Sequence, residues 1–176
     1  MEEELSKDSK HEIQAVLAVH TETSTGVTSR ISDIRRAIDK ARHPALLMVD
    51  AVSSLACTEF LHDEWGVDVT VSASQKGLML PPGLSFNAVS EKALARSKVN
   101  QSLHSYWQWE AMASNNAKGY FPYTPSTNLL YGLDEALNLL LAEGLDKVFA
   151  RHSRLAAATR AAVSYTHLTL PTIRLV

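Results

Sequence analysis

The sequence predicts an α/β fold built on a largely parallel, buried sheet, and three observations carry that prediction. "IQAVLAV" (13–19) and "ALLMV" within "HPALLMVD" (43–50) are short, nearly unbroken apolar runs, as expected of strands covered on both faces. Between them, "SRISDIRRAIDKAR" (29–42) places Ile31, Ile34, Ile38 and Ala41 at helical spacing. The rest of the chain adds two more strand patterns and then turns helical, an order of elements that belongs to the α/β class.

Taken in order, "MEEELSKDSKHEI" reads as the exposed part of an amphipathic helix, and residues 13–19 are the first strand. The helix over 29–42 has Ser29 or Ser32 as its cap. A strand at 43–50 closes on Asp50, "FLHDEWG" connects, and "VDVTVSAS" (67–74) alternates as the third strand. "GLSFNAVSE" (83–91) is the fourth strand and "EKALARSK" opens a helix. Helices follow over 105–119, with Trp107 and Met112 on one face, over 127–143 and over 145–163. The 127–143 segment is apolar nearly all round, which predicts a deeply packed helix. "SYTHLTLPTIRLV" (164–176) reads as a non-native tail, with a genuine C-terminal strand as the alternative.

With 176 residues, 45% of them hydrophobic, the chain has the size of one domain able to bury a core without staples. The single Cys57 excludes an internal disulfide and a cysteine-only metal cluster, and matches a cytoplasmic location. A net charge of −2 without a basic stretch argues against nucleic-acid binding. No apolar run is long enough for a membrane span and no secretory leader is visible.

Ligands of open α/β sheets lie outside the carboxyl ends of the strands, so the polar residues there are the candidates for chemistry. The first strand is followed by His20, Thr21, Glu22, Thr23, Ser24, Thr25 and Gly26, the second ends at Asp50, and the third is followed by Ser72, Ser74, Gln75 and Lys76. Each has an ordinary structural alternative: a helix cap for Asp50, a solvated edge charge for Lys76, turn chemistry for the threonines, a satisfied core histidine for His20. Together they suit a more particular chemistry. A desolvated lysine amine is a nucleophile towards carbonyls, and a nearby carboxylate keeps a ring nitrogen protonated. Those are the two groups pyridoxal phosphate requires. Gln75, Ser72 and Ser74 are neutral donors available to a phosphate, and the Thr23 hydroxyl to the cofactor's phenolic oxygen.

Four ordered segments, "VHTETSTGV", "LLMVDAVSSLACTEF", "VDVTVSASQKGLMLPPGLSF" and "YFPYTPSTNLLYGLDEAL", resemble class V pyridoxal-phosphate aminotransferases, nearest the alanine–glyoxylate and serine–glyoxylate enzymes. The resemblance covers roughly residues 13–163. It implies the large domain of fold type I, a homodimer, and amino transfer from serine or alanine to glyoxylate or another 2-oxo acid. By position, Lys76 matches the lysine that carries pyridoxal 5′-phosphate and shuttles the proton. Asp50 matches the partner of the ring nitrogen, Val52 the residue on the ring face, Thr23 the contact to the phenolic oxygen and Gln75 a phosphate ligand. Tyr123 and Thr124 resemble the segment that reaches the phosphate of the other subunit's cofactor, with Phe121 or Thr127 as alternatives. Gln-Lys replaces the His-Lys of cysteine desulfurases, and phosphoserine aminotransferases, which share Gln-Lys, fit the first and last segments poorly.

The family's Gly-rich phosphate turn, its ring-stacking aromatic residue and its carboxylate-clamping arginine have no match here, and Arg174 fits no motif. Residues 1–163 are therefore expected to be part of a large domain within an internal fragment that does not itself transaminate. The competing readings are an α/β binding module without catalysis and a phosphate-binding domain without a covalent lysine. Against the latter, neither a P-loop nor a dinucleotide fingerprint occurs. The "GLMLPPG" after Lys76 is expected to form a rigid, irregular turn, held by Pro81 and Pro82 and eased by Gly77 and Gly83.

Overall fold

The computed structural model describes residues 1–100 and 105–169, with a four-stranded sheet in the order β1 (Ala15–Val19), β2 (Leu46–Asp50), β3 (Val69–Ala73) and β4 (Ser85–Val89). The first three strands are parallel, in a register that aligns Val19, Asp50 and Val71 across the sheet, while β4 returns antiparallel with Ser85 opposite Ala73. The carboxyl ends of β1, β2 and β3 therefore share one edge. Reversal of β4 follows from its connection: residues 74–84 turn back at that same edge, too short a link to cross over to a parallel start.

Helix α1 (Glu2–Lys7) and α2 (Ile31–Lys40) cover one face. Leu5, Ile31 and Ile38 meet Leu47, Val49 and Val67 there, joined by the partly buried Phe60 and Trp65. The expected serine cap of α2 is absent. Arg30 occupies the N-cap without a side-chain bond, and the preceding Ser29 N–H donates to the His20 carbonyl at 2.7 Å. Helix α3 (Glu91–Val99) does have a serine cap: the Ser90 hydroxyl accepts from Ala93 N–H.

A second core joins Leu78 and Leu80, which follow the lysine, to Ala136 and Leu140 of α5 (Thr127–Glu143) and Val148 of α6 (Leu145–Thr169). The packing expected of 127–143 is only partly found. Ala136 and Leu140 are buried, whereas Tyr131, Leu137, Leu139 and Leu141 are exposed, since a helix apolar all round meets described elements on one side only. The segment 105–119 divides into a 3-10 turn (Ser105–Trp107) and α4 (Trp109–Asn116), leaving Trp107 72% exposed and off the helix face shared by Met112. Residues 164–169 continue α6 rather than starting a strand, and 170–176 lie outside the described residues, with Arg174 among them.

At the edge opposite the strand ends, Asp68 is buried and its carboxylate accepts from Leu47 N–H (2.9 Å), from the Ser90 hydroxyl (3.0 Å) and from Lys92 Nζ (3.5 Å). The Lys92 ammonium also donates to Ala45 O at 3.0 Å. This network ties β2, β3 and α3 together. Among the described residues no helix is long and apolar enough to cross a membrane.

Candidate functional site

Thr23 stands on a turn that the chain staples to itself. Beyond β1, Thr21 and Thr28 form an antiparallel bridge, Glu22 N–H donates to Val27 O, and Gly26, at φ +70°, closes back on Glu22 O. The Glu22 carboxylate accepts from the backbone N–H and the hydroxyl of Ser24, both at 2.9 Å. The Ser24 N–H, with its hydroxyl second, holds that carboxyl below the ordinary carboxylate range. The turn thus presents Thr23 with its hydroxyl 2.7 Å from that of Ser53.

Asp50 ends β2, is exposed, and accepts the Val52 N–H on Oδ1 at 2.8 Å. That bond starts a run of tight turns in which Ser54 and Leu55 N–H both return to Ala51 O. Ser54 is buried, and its hydroxyl lies 2.8 Å from His20 Nδ1. The His20 ring packs against Phe60 and Trp65, and burial lowers its pKa below the usual histidine value. A neutral His20 and two consecutive serines therefore join the loop after β1 to the loop after β2.

The third loop locks onto the second through Gly77. A Cβ at this position would overlap the Leu55 carbonyl oxygen and lie 2.8 Å from Cys57 Sγ, so only glycine permits the approach. Burial also pushes the Cys57 thiol pKa up, away from reactive thiolate character. Gln75 and Lys76 are exposed just before this contact, and the Lys76 amine makes no hydrogen bond or ion pair with a described residue. The structure therefore gathers Thr23, Asp50, Val52, Gln75 and Lys76 on adjoining loops at one sheet edge.

One expectation needs correction. The Ser72 and Ser74 hydroxyls do not face outward as anion donors: both residues are buried, Ser72 donating to Ala51 O (3.4 Å) and Ser74 to Pro81 O (2.7 Å). Tyr123 and Thr124 lie in the exposed loop after α4, where the Tyr123 ring stacks on Tyr106 with centroids 4.5 Å apart, which ties it to the 3-10 turn. Ser53 and Ser54 are site residues that strand-end position alone does not single out. Their signal is two consecutive hydroxyls three and four residues after the strand-end aspartate, opposite a histidine and threonines at the neighbouring strand end.

The fold and this edge place the chain among aminotransferase-like α/β proteins, and comparison with known proteins makes the class specific. The structure resembles the crystal structure of alanine–glyoxylate aminotransferase from Nostoc sp., with a TM-score of 0.77 and 32% identity over 89% of this chain and 42% of that one. The family model described as Aminotransferase class-V matches residues 1–171, and the chain belongs to that family. It is 55% identical over 161 residues to the serine–glyoxylate aminotransferase of Hyphomicrobium methylovorum, covering 90% of this chain and 40% of that protein. It is 48% identical over 173 residues to the L-aspartate–glyoxylate aminotransferase of Paracoccus denitrificans, covering 98% and 44%. The chain thus spans about two fifths of the length of the curated relatives it matches.

Proposed function

We propose that this chain carries the cofactor lysine of a pyridoxal-phosphate-dependent aminotransferase that moves an amino group from serine or alanine to glyoxylate or another 2-oxo acid. The observation that carries the proposal is the locking together of three strand-end loops: Thr23 to Ser53, and Gly77 onto Leu55 and Cys57. Around them stand an exposed lysine amine and an exposed carboxylate, which suit the aldehyde and the ring nitrogen of pyridoxal phosphate. When bound, that cofactor supplies a ring that takes up the electron pair left as the amino acid loses its Cα proton.

The protein groups then have separate tasks. Lys76 holds the cofactor covalently through Nζ and, as a free amine, moves the proton from the substrate Cα. Asp50 keeps the ring nitrogen protonated, and the Val52 N–H on Oδ1 orients its carboxylate. Val52 covers the ring face, the Thr23 hydroxyl donates to the phenolic oxygen, and Gln75 donates to the phosphate. Tyr123 and Thr124 extend to a second subunit's phosphate in a homodimer. Residues 1–163 form the lysine-bearing part of the large domain, and the setting is cytoplasmic.

Incubation with pyridoxal phosphate, borohydride reduction to fix the carbon–nitrogen bond, and peptide mass mapping test the assignment. The expected result is a label concentrated on Lys76 and abolished in Lys76→Ala. A label spread evenly over surface lysines overturns it. Glyoxylate-dependent conversion of serine and of alanine, against phosphoserine as a control, tests the substrate side with the lysine domain in its full-length context.

A further inference from the structure

Every polar atom of Ser74 closes the loop that bears the lysine. The residue is fully buried. Its hydroxyl donates to Pro81 O at 2.7 Å and accepts from Leu84 N–H at 3.2 Å. Its backbone N–H donates to Leu84 O at 3.1 Å and its carbonyl accepts from Leu80 N–H at 3.1 Å. One hydroxyl has one proton, so donation to Pro81 leaves the lone pairs to receive Leu84. The side chain therefore bridges both limbs of the turn from a fully buried position.

Lys76 lies inside the closed loop. Its carbonyl accepts from Met79 N–H at 2.9 Å, Gly77 is pressed onto the preceding loop, and Leu78 and Leu80 enter the second core. Met79, exposed between the two leucines, takes a φ of +61°, a conformation unfavourable for a side-chain-bearing residue unless its surroundings enforce it. Gln75 and Lys76 are the residues of this turn that combine polar side chains with exposure, while the main chain around them is fastened on each side.

We propose that Ser74 is the positioning residue for Lys76: its hydroxyl bridge immobilises the 75–83 backbone so that the amine moves on a fixed stem. The proposal rests on the assignment of Lys76 as the cofactor lysine, and it transfers to Ser74 the holding role that the sequence suggests for the prolines. Pro81 and Pro82 are exposed, and the part of Pro81 used here is a carbonyl oxygen that any residue supplies.

Hydrogen exchange and borohydride labelling on the full chain test it as separate readouts. In Ser74→Ala the Leu84 amide is expected to exchange about ten-fold faster, with the β1–β2 ladder amides unchanged. The label on Lys76, relative to the exposed Lys118 as an internal reference, is expected to fall about five-fold through loss of preorganisation. Ser74→Thr, which keeps the hydroxyl, restores part of both. Ser74→Cys, which keeps the volume and weakens the bonds, decides the matter if the alanine variant unfolds. Unchanged Leu84 protection overturns the bridge, and lost protection with an unchanged Lys76-to-Lys118 ratio overturns the positioning. A wild-type chain that shows no preference for Lys76 overturns the cofactor assignment instead, with the exchange result still deciding the bridge.

Discussion

Two aspartates, one at each edge of the sheet, show how the same residue type is used in opposite ways. Asp68 is 5% exposed and surrounded by the Leu47 N–H, the Ser90 hydroxyl and Lys92. Asp50 is exposed, and among the described residues its carboxylate accepts one bond, from its own turn. The lysines divide likewise: Lys92 donates to Ala45 O and Asp68, while Lys76 has no partner among the described residues. Where the hydrogen-bonding capacity of charged groups is taken up internally, they act as scaffold. Where it is left open at the carboxyl ends of parallel strands, it is available for a ligand.

The sharpest way to break this contrast is to remove each carboxylate. Asp68→Ala leaves the Leu47 N–H without its acceptor and Lys92 without its counter-charge, and is expected to cost about 3 kcal/mol. Asp50→Ala is expected to change stability by no more than about 0.5 kcal/mol, as for an exposed substitution, while weakening pyridoxal-phosphate retention. Urea denaturation of the two variants checks the first difference and dialysis of bound cofactor the second. Equal destabilisation would mean that Asp50 is scaffold as well.

Gly77→Ala probes the boundary between the two uses, because it places a methyl against the Leu55 carbonyl and Cys57. An overpacking cost of about 2 kcal/mol is expected, together with loss of selective labelling at Lys76. Gly26→Ala serves as the comparison, since a Cβ there meets nothing within 4 Å and is disfavoured by its φ of +70° alone, at roughly 1 kcal/mol. Thermal unfolding with mass mapping separates the two.

The edges also differ in pH response. Burial lowers the His20 pKa, so below about pH 6.5 the unfolded chain takes up a proton that the folded chain does not. Stability from this group is complete above that pH and lost as pH falls towards the depressed folded value. At the far edge, the Ile13 and Glu12 N–H groups lower the Asp8 pKa, aided by a bond to His43. Its contribution stays intact down to about pH 3.9 and is lost below. Denaturation midpoints across pH should show a first decline near neutrality that His20→Gln removes, and a second in acid that Asp8→Asn removes. A first decline that persists in His20→Gln would assign it elsewhere.

Much of this was legible in the residues themselves. Unbroken apolar runs marked β1 and β2 as parallel strands, and reading just past the ends of β1, β2 and β3 singled out Thr23, Asp50 and Lys76 as candidates. The burial expected of both strands holds for β2 alone, since β1 lies at the sheet edge with no buried residue and leaves Leu17 77% exposed. The remainder depends on what an apolar face meets, which periodicity does not report. Thus 127–143 has the composition of a buried helix yet leaves Tyr131 and Leu141 exposed, and β4 has the composition of its neighbours yet runs against them. Hydroxyls are the least legible group. Ser53, Ser72 and Ser74 are alike in sequence, but one bonds Thr23, one the Ala51 carbonyl and one both limbs of the 74–84 turn, because each bond joins segments whose proximity is set by the folded sheet.

The smallest effect expected is the one that separates proline stiffness from the Ser74 bridge. Pro81→Ala and Pro82→Ala keep every backbone carbonyl, including the oxygen that receives the Ser74 hydroxyl. What they change is the freedom of the unfolded chain, worth about 0.5 kcal/mol for each. Labelling of Lys76 should therefore stay close to wild type in both variants, while Ser74→Ala lowers it. Were the prolines the true brace, the order would reverse, with Pro81→Ala lowering the label and Ser74→Ala leaving it intact. Because both kinds of variant are compared by one labelling ratio on otherwise identical chains, a difference in overall stability cannot imitate that reversal: the proline variants lose about as little stability as an exposed substitution does, and only a local release of the turn would single out Lys76.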